Sequence, residues 1–452
     1  MKQTERANFG SRLGIVLATA GSAVGLGNVW RFPTMAGENG GAAFILIYIG
    51  CVLVLGIPCM LNEFIIGRRA QANTARSYSS LAGGTPWRFI GYFGVFTGLL
   101  ISGYYCVVSG WCLQYILASA TGQLHGSPTE VANYFDTFSA HPWKPIICLL
   151  IFMLITHFVV SCGVQKGIER ASKLMMPLLF VLLMVIAVAA CFLPGTQQAF
   201  SFLFSPDFTK VDSDVLLGAL GQAFYSLSVG MGCLCTYASY FKRDVHLTKS
   251  AVQIVSIDTM IAILAGLMIF PAVFSVDGNV QEGTSLVFKS LPYVFNKAFE
   301  AVPFLGTIIA LLFFALLSVA ALTSLISLHE VSTAFFHEEL KISRHSGAVI
   351  VTVLCSIIGV FCSLSFYNAD IQLFGMQLFN LFDFITGQIF LPLGGFLTCL
   401  FLGWYVPRHV VKDEFTNGGT LRGRFFSAYL FLVRFVCPTC ILAIFLHQLH
   451  MI

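Results

Sequence analysis

Long apolar runs recur along almost the whole chain, near 12–35, 41–67, 89–121, 145–163, 172–193, 215–241, 249–275, 304–336, 346–366, 371–405 and 425–448. A bilayer-spanning helix takes about 20 such residues, and backbone exposed to hydrocarbon must satisfy its own hydrogen bonds. The fold class expected is therefore an all-α integral membrane protein with about 11 transmembrane helices. Only 10% of the residues are charged, against roughly 25% in an ordinary soluble domain. Residues 1–452 read as one transmembrane domain, with no room for a sizeable domain outside the lipid bilayer. A net charge of +4, scattered along the chain, excludes a nucleic-acid footprint.

The basic residues orient the spans. With the amino terminus in the cytoplasm, Lys2, Arg6, Arg12, Arg68, Arg69, Arg76, Arg88, Lys166, Arg170, Lys173, Lys242, Arg243, Lys249, Lys341, Arg344, Arg408, Lys412, Arg422 and Arg424 all fall on cytoplasmic segments. Lys144, Lys210, Lys289 and Lys297 alone fall outside, and Arg31 and Arg434 lie in or at the ends of spans. This obeys the positive-inside rule and, with an odd number of spans, puts the carboxyl terminus outside; the location expected is a cell inner (plasma) membrane. Segment 123–144 reads as a polar loop. The linker 277–303 carries a short apolar stretch, Leu286 to Phe295, that reads as a loop dipping back onto the protein. A secretory signal is the alternative for the first run. Against it, that run continues through Asn28, Trp30 and Arg31, and ten more follow.

The 14 Cys lie almost entirely within predicted spans, as small packing residues rather than a disulfide framework. Cys233-x-Cys235 and Cys437-x-x-Cys440 lack partner motifs, and His329-Glu330 has no second His four residues on from the first, so zinc-site patterns fail.

Two spans cannot be continuous helices. The first contains Gly21-Ser22-Ala23-Val24-Gly25-Leu26-Gly27-Asn28, and the sixth Ser226-Leu227-Ser228-Val229-Gly230-Met231-Gly232. Each Gly weakens a helix by about 1 kcal/mol relative to Ala. Ala23 to Gly27 lies over Ser228 to Gly232 with Val and both Gly in register, which suggests a repeat. Ordinary glycine-mediated helix packing is the alternative. Five helices per unit would make the second unit, 215–405, enter the membrane opposite to the first, 12–193, with 425–448 as an eleventh helix. An unwound helix inside hydrocarbon leaves backbone groups that protein, water or ligand must satisfy. Its exposed N–H groups and positive dipole end suit a carboxylate, and its freed carbonyls suit cations. Those needs describe a zwitterion accompanied by a hard metal ion.

Glu63, Asp258, Glu330 and Asp383 fall deep in predicted spans, where a charge costs on the order of 3 kcal/mol. Asp258 is expected at mid-membrane depth, balanced by Na+ or neutralised by a proton. Glu63 is expected either to receive hydrogen bonds from unwound backbone or to take a functional part; His329 and Glu330 receive no role. Thr323-Ser324 offer two hydroxyls that either ligate an ion or bond back to their own helix.

Read together, Gly21 through Pro33 (GSAVGLGNVWRFP), Glu38-Asn39-Gly40-Gly41, Lys166-Gly167-Ile168-Glu169-Arg170, the sixth-span run to Thr236-Tyr237-Ala238-Ser239-Tyr240, and Leu322-Thr323-Ser324 resemble the neurotransmitter:sodium symporter family. The resemblance implies its LeuT-type fold, a 5+5 inverted repeat with broken helices 1 and 6. It implies a sodium-coupled amino-acid symporter rather than an enzyme. By position, the substrate carboxylate would meet the amides of Leu26 and Gly27 and the hydroxyl of Tyr105. The amine would face carbonyls of Ala23, Tyr225 and Ser226, with Ser228 nearby. A first Na+ is implied at Ala23, Asn28, Ser226, Asp258 and the substrate carboxylate, and a second at Gly21, Val24, Ala320, Thr323 and Ser324, all oxygen donors of the kind hard cations prefer. Arg31 with Asp383 resemble the outer ion pair, Tyr105 with Tyr225 the aromatic lid, and Arg6 with Glu338 the inner pair, with Phe9 where Trp is frequent.

Ile101, Tyr105, Tyr225, Met231, Ser324 and Leu328 would line the side-chain pocket, whose mostly apolar wall suggests a hydrophobic or aromatic amino acid. The sequence departs from the family pattern at Asp258, where many relatives have Asn, and at Ala262, where another bacterial relative carries Glu. Transport that does not require chloride is expected. A proton-coupled carrier on the same fold and a non-transporting amino-acid sensor are the rival classes.

Overall fold

The structure, a computed structural model, describes residues 8–276, 286–300, 302–368 and 370–448. Arg6 of the expected inner pair lies outside them. Among the described residues, nine continuous helices are long and apolar enough to cross a membrane: Ala42–Ala70, Pro86–Ala120, Lys144–Ser161, Val164–Ala190, Leu247–Phe274, Phe304–Glu339, Arg344–Tyr367, Leu378–Tyr405 and Phe426–Gln448. Arg12–Ala23 and Gly27–Glu38 pass the same test as a pair and bend by 56° where they meet. A further pair, Ser213–Ser226 and Cys233–Ala238, flanks the non-helical residues 227–232. These two interrupted units are buried along most of their length, whereas Lys144–Ser161 and Val164–Ala190 keep many apolar side chains exposed, as a lipid-facing surface requires.

Short helices occupy stretches without a long apolar run, among them Thr74–Ala82, Pro128–Ser139, Thr196–Phe204 and Arg408–Phe415. The second corrects the expectation of a polar loop over 123–144. Ser127 starts it with a reciprocal capping box, accepting from Glu130 N–H while the Glu130 carboxylate accepts from Ser127 N–H. Those Ser127 bonds hold the Glu130 carboxyl below the ordinary glutamate range. The fifth apolar run starts its helical turns at Val164 rather than 172. The tenth starts at Leu378 rather than 371, because Gln372–Leu373 and Met376–Gln377 pair as a small antiparallel hairpin about Phe374 and Gly375, both at positive φ.

The described part of the 277–303 linker does fold back onto the protein. Its Phe288 ring packs on Trp30, Trp111, Tyr115, Phe135 and Phe314, with centroids 5.1–6.1 Å away.

Candidate substrate and ion site

The two breaks lie against each other. Ala23 ends the first helix, and Val24 leaves it in an extended conformation with ψ 110°. Gly25 is required there by close approach, since a Cβ would come within 2.4 Å of Ser324 Oγ. In the second unit the chain escapes the helix through positive φ at Ser228 (54°), Gly230 (92°) and Gly232 (75°), a region that glycine enters without strain. Ser228 Oγ donates to the Ser22 carbonyl at 3.0 Å and so ties one break to the other.

Glu63 organises the second break. Its side chain is buried, Oε1 accepts the Gly230 N–H at 2.7 Å, and Oε2 accepts the Cys235 N–H at 3.0 Å. The backbone-satisfying alternative for Glu63 is the one with geometry behind it: the carboxylate takes donors that unwinding left over.

Between the breaks lies a partly open cavity with a mostly apolar lining. Ala23, Leu26, Gly27, Ile101, Tyr105, Tyr225, Ser226, Ser228, Met231, Ser324 and Leu328 all line it. So do Tyr104, Ser327 and Leu391, which the sequence reading did not single out, and Cys233, which it weighed only as part of a failed metal motif. The Leu26 N–H donates to the Tyr105 hydroxyl at 3.3 Å, which places backbone amide and phenol at one wall.

Beside the cavity, Asn28, Ser226 and Asp258 form a buried polar cluster. Asn28 Nδ2 donates to Asp258 Oδ1 at 2.7 Å and to Ser226 Oγ at 3.2 Å. Ser226 Oγ donates to Asp258 Oδ2 at 2.8 Å, and Tyr48 Oη donates to the same oxygen at 3.4 Å. The amide N–H₂ is thus the positive partner of the carboxylate. For Asn28 to offer Oδ1 as an oxygen ligand in this cluster, its amide would have to turn, so that Oδ1 leaves the Gly25 N–H it accepts at 3.1 Å.

A second set of oxygens lies across the first break. Thr323 Oγ1 donates to the Ala320 carbonyl at 2.9 Å and lies 3.4 Å from the Val24 carbonyl, to which Ser324 Oγ also donates at 3.3 Å. Gly21 packs on the same spot, where an added Cβ would lie 3.3 Å from Thr323 Cβ. In this arrangement both hydroxyls reach the unwound Val24 carbonyl.

The expected outer pair takes a different form. Arg31 and Asp383 make no ion pair within 4.0 Å; the Arg31 guanidinium lies over the Tyr225 ring, 4.1 Å from its centroid, and Asp383 accepts from Tyr104 Oη at 3.1 Å. Tyr225 thus reaches the guanidinium as a cation–π partner. At the other end of the interrupted units, Phe9 is buried among Tyr237, Tyr240 and Phe241, with ring centroids 5.9–6.3 Å away. Glu338 accepts from both the backbone N–H and the side-chain amide of Asn73. Two residues left without a role have partners: Glu330 pairs with Arg344 and accepts from Tyr240 Oη at 2.6 Å, while His329 lies between Thr333 and Thr352.

A cavity lined by two interrupted membrane helices, with backbone amides and hydroxyls at its walls and a buried carboxylate beside it, is the kind of site that suits a carrier of small solutes. Comparison with known proteins gives the family: the model of the sodium:neurotransmitter symporter family matches residues 6–136 and 125–452, and the chain belongs to that family. It is similar to an uncharacterised sodium-dependent transporter of Bacillus subtilis, YhdH, at 36% identity over 99% of this chain and 98% of that protein. It is 26% identical, over 79% of this chain and 63% of that protein, to sodium-dependent nutrient amino acid transporter 1 of Drosophila pseudoobscura pseudoobscura. The crystal structure of MhsT in complex with L-phenylalanine matches it with a TM-score of 0.88 and 42% identity, over 98% of this chain and all of that one. The protein is a multi-pass, sodium-dependent membrane transporter of LeuT-type fold, not an enzyme.

Proposed function

We propose that the protein is a secondary active symporter that imports hydrophobic or aromatic L-amino acids with two Na+ by alternating access, without requiring chloride. The observation that carries this reading is the buried Asn28–Ser226–Asp258 cluster, which joins the two interrupted helices two residues from the Leu26 N–H. An amino acid with its carboxylate at Leu26, Gly27 and Tyr105 would share its first Na+ with this cluster, so ion and substrate stabilise each other. The second Na+ would bind Gly21, Val24, Ala320, Thr323 and Ser324, and hold the broken helix against Phe304–Glu339. Arg31 with Tyr225 would cover the cavity on the outer side, with Asp383 held by Tyr104; Phe9, Glu338 and Arg6 would close the inner side. The apolar wall of Ile101, Met231, Leu328 and Leu391 supports a bulky apolar side chain, and so does the L-phenylalanine bound to the similar MhsT.

Chloride independence is supported by Asp258, which takes the hydroxyls of Tyr48 and Ser226 for itself and brings its own negative charge. The repeats 12–193 and 215–405, the cytoplasmic amino terminus, the external carboxyl terminus and the plasma-membrane location complete the reading. One charge crossing 100 mV is worth about 2.3 kcal/mol and a tenfold gradient about 1.4 kcal/mol, so two Na+ supply roughly 7.4 kcal/mol, sufficient for an amino-acid gradient of about 10^5.

The test is uptake of labelled phenylalanine and leucine into proteoliposomes under separately imposed Na+, choline and pH gradients. Uptake driven by Na+ alone is expected, with two charges moved per amino acid. Uptake driven by a pH gradient in choline would replace this reading with a proton-coupled one.

A further inference from the structure

The first half-helix is gripped at its free end by a carboxylate that the substrate and ion sites do not use. Glu169 belongs to the Lys166-Gly167-Ile168-Glu169-Arg170 motif, in the wide turn Val164–Glu169 that opens the helix Val164–Ala190. Its side chain is only 4% exposed, yet it lies against the start of a different helix. Oε2 accepts the Gly10 N–H at 2.7 Å, Oε1 accepts the Ser11 hydroxyl at 2.8 Å, and Lys173 Nζ lies 2.7 Å from Oε1. Ser11 is the N-cap of Arg12–Ala23, and its oxygen accepts the Gly14 N–H at 2.9 Å. The capping hydroxyl is therefore both polarised and held in place by the carboxylate. Gly14 lets the two elements meet this closely, because a Cβ there would lie 2.2 Å from Oε1 of Glu169. Gln165 adds a bond to the Asn8 carbonyl at 2.6 Å. Phe9, between these contacts, turns the other way into the Tyr237–Tyr240–Phe241 cluster. Residues 8–14 are thus held from two sides.

We infer that Glu169 is a positioning residue: its carboxylate clasps the end of Arg12–Ala23 and sets the balance between a covered cavity and one open to the cytoplasm. The inference rests on the alternating-access reading above and takes this half-helix as the element that moves away to release substrate. The clasp holds in the covered form, and its charge-assisted bonds to Gly10 and Ser11 are lost when the half-helix departs.

The test uses native thiols in the purified full-length protein, labelled with 2-aminoethyl methanethiosulfonate and quantified residue by residue by peptide mass spectrometry. Cys233 lines the cavity and is 1% exposed; Cys399 is fully buried outside the cavity lining and reports general loosening. In choline buffer, Glu169→Gln is expected to label Cys233 about tenfold faster than the parent, the fold-change of one charge-assisted bond, with Cys399 unchanged. Gly14→Ala separates a clasp from plain helix stability. Ala favours a helix, so a helix-stability role predicts slower labelling, whereas eviction of the Glu169 carboxylate predicts faster labelling.

An unchanged Cys233 rate in Glu169→Gln, or a parallel rise at Cys399, would overturn the proposal. Should Glu169→Gln fail to fold, Gly14→Ala decides alone: slower or unchanged labelling refutes the clasp. If Na+ fails to slow Cys233 labelling in the parent, the symport reading falls, and the choline data still judge the clasp.

Discussion

Replacing Glu63 by Gln tests whether a carboxylate holds the second break open. The side chain is 1% exposed, and among the described residues no Lys, Arg or His lies within 4 Å of it as an ion partner. Both oxygens accept backbone N–H groups, from Gly230 at 2.7 Å and Cys235 at 3.0 Å, so the local backbone is arranged for the ionised form. Gln has nearly the same shape, but one of its two ends is a donor. One N–H keeps an uncharged acceptor, and the other faces an N–H₂ group inside the protein. A hydrogen bond to a charged group contributes about 1.5–3 kcal/mol, and a buried unsatisfied donor costs about 1–3 kcal/mol. The substitution should therefore weaken the ordered form of residues 227–232 by about 3–5 kcal/mol, which is roughly two to four powers of ten in its population. Because Tyr225, Ser226, Ser228 and Met231 all depend on that form, amino-acid and Na+ affinity should fall together. The assay is scintillation-proximity binding of labelled phenylalanine, titrated against Na+, with a thermal unfolding midpoint measured in parallel. Glu63→Gln protein that bound phenylalanine with parental affinity and the same half-saturating Na+ would refute the argument, for the break would then stand without its carboxylate.

Three other outcomes are expected. Thr323→Ala removes one of two hydroxyls that reach the Val24 carbonyl; half-saturating Na+ should rise about tenfold, the equivalent of about 1.4 kcal/mol, while phenylalanine affinity at saturating Na+ changes little. Ile101→Trp enlarges a side chain in the cavity wall; competition binding should then show loss of phenylalanine and retention of alanine. Asp258→Asn removes the negative charge that holds Tyr48 and Ser226. Uptake by this variant should become chloride-dependent, whereas the parent loses nothing when gluconate replaces chloride at constant Na+.

The apolar runs announced the spans because lipid-facing helices need uninterrupted apolar surface, and the glycines with Asn28 announced the first break because few other residues tolerate so close a backbone approach. Elements at the membrane surface gave no such signal. Pro128–Ser139 and Arg408–Phe415 are short and half polar; most of their charges are exposed and one, Glu414, is buried against Arg68, so no long run marks them. The fifth helix begins at Val164, eight residues before its apolar run, for the same reason: Lys166 and Arg170 are exposed on its first turns. Tyr104 went unnoticed beside Tyr105 because neighbours on a helix point about 100° apart, and only the packed structure sends one to Asp383 and the other to the Leu26 amide. Glu330 likewise has partners from other elements, Arg344 at the start of the next helix and Tyr240 just past Cys233–Ala238, which no local pattern connects.

The geometry also bears on how one site could impose order on transport. A carrier that bound ion and amino acid independently would let either cross alone and dissipate the gradient; coupling requires each to raise the affinity of the other by the same factor. Under the proposed function, Asn28 would supply that factor. In this arrangement its amide N–H₂ satisfies Asp258 while its oxygen caps the Gly25 N–H, one residue from the Leu26 amide. Turning the amide toward a cation frees the Gly25 N–H at the break where a substrate carboxylate would bind. Under the proposed function, one side-chain rotation would make the ion site attractive to Na+ and the first break attractive to an anion, and neither half of that change is favourable without its partner. The reciprocal dependence is measurable as equal shifts: the factor by which saturating Na+ tightens phenylalanine must equal the factor by which saturating phenylalanine tightens Na+, and Asn28→Ala should bring both toward one.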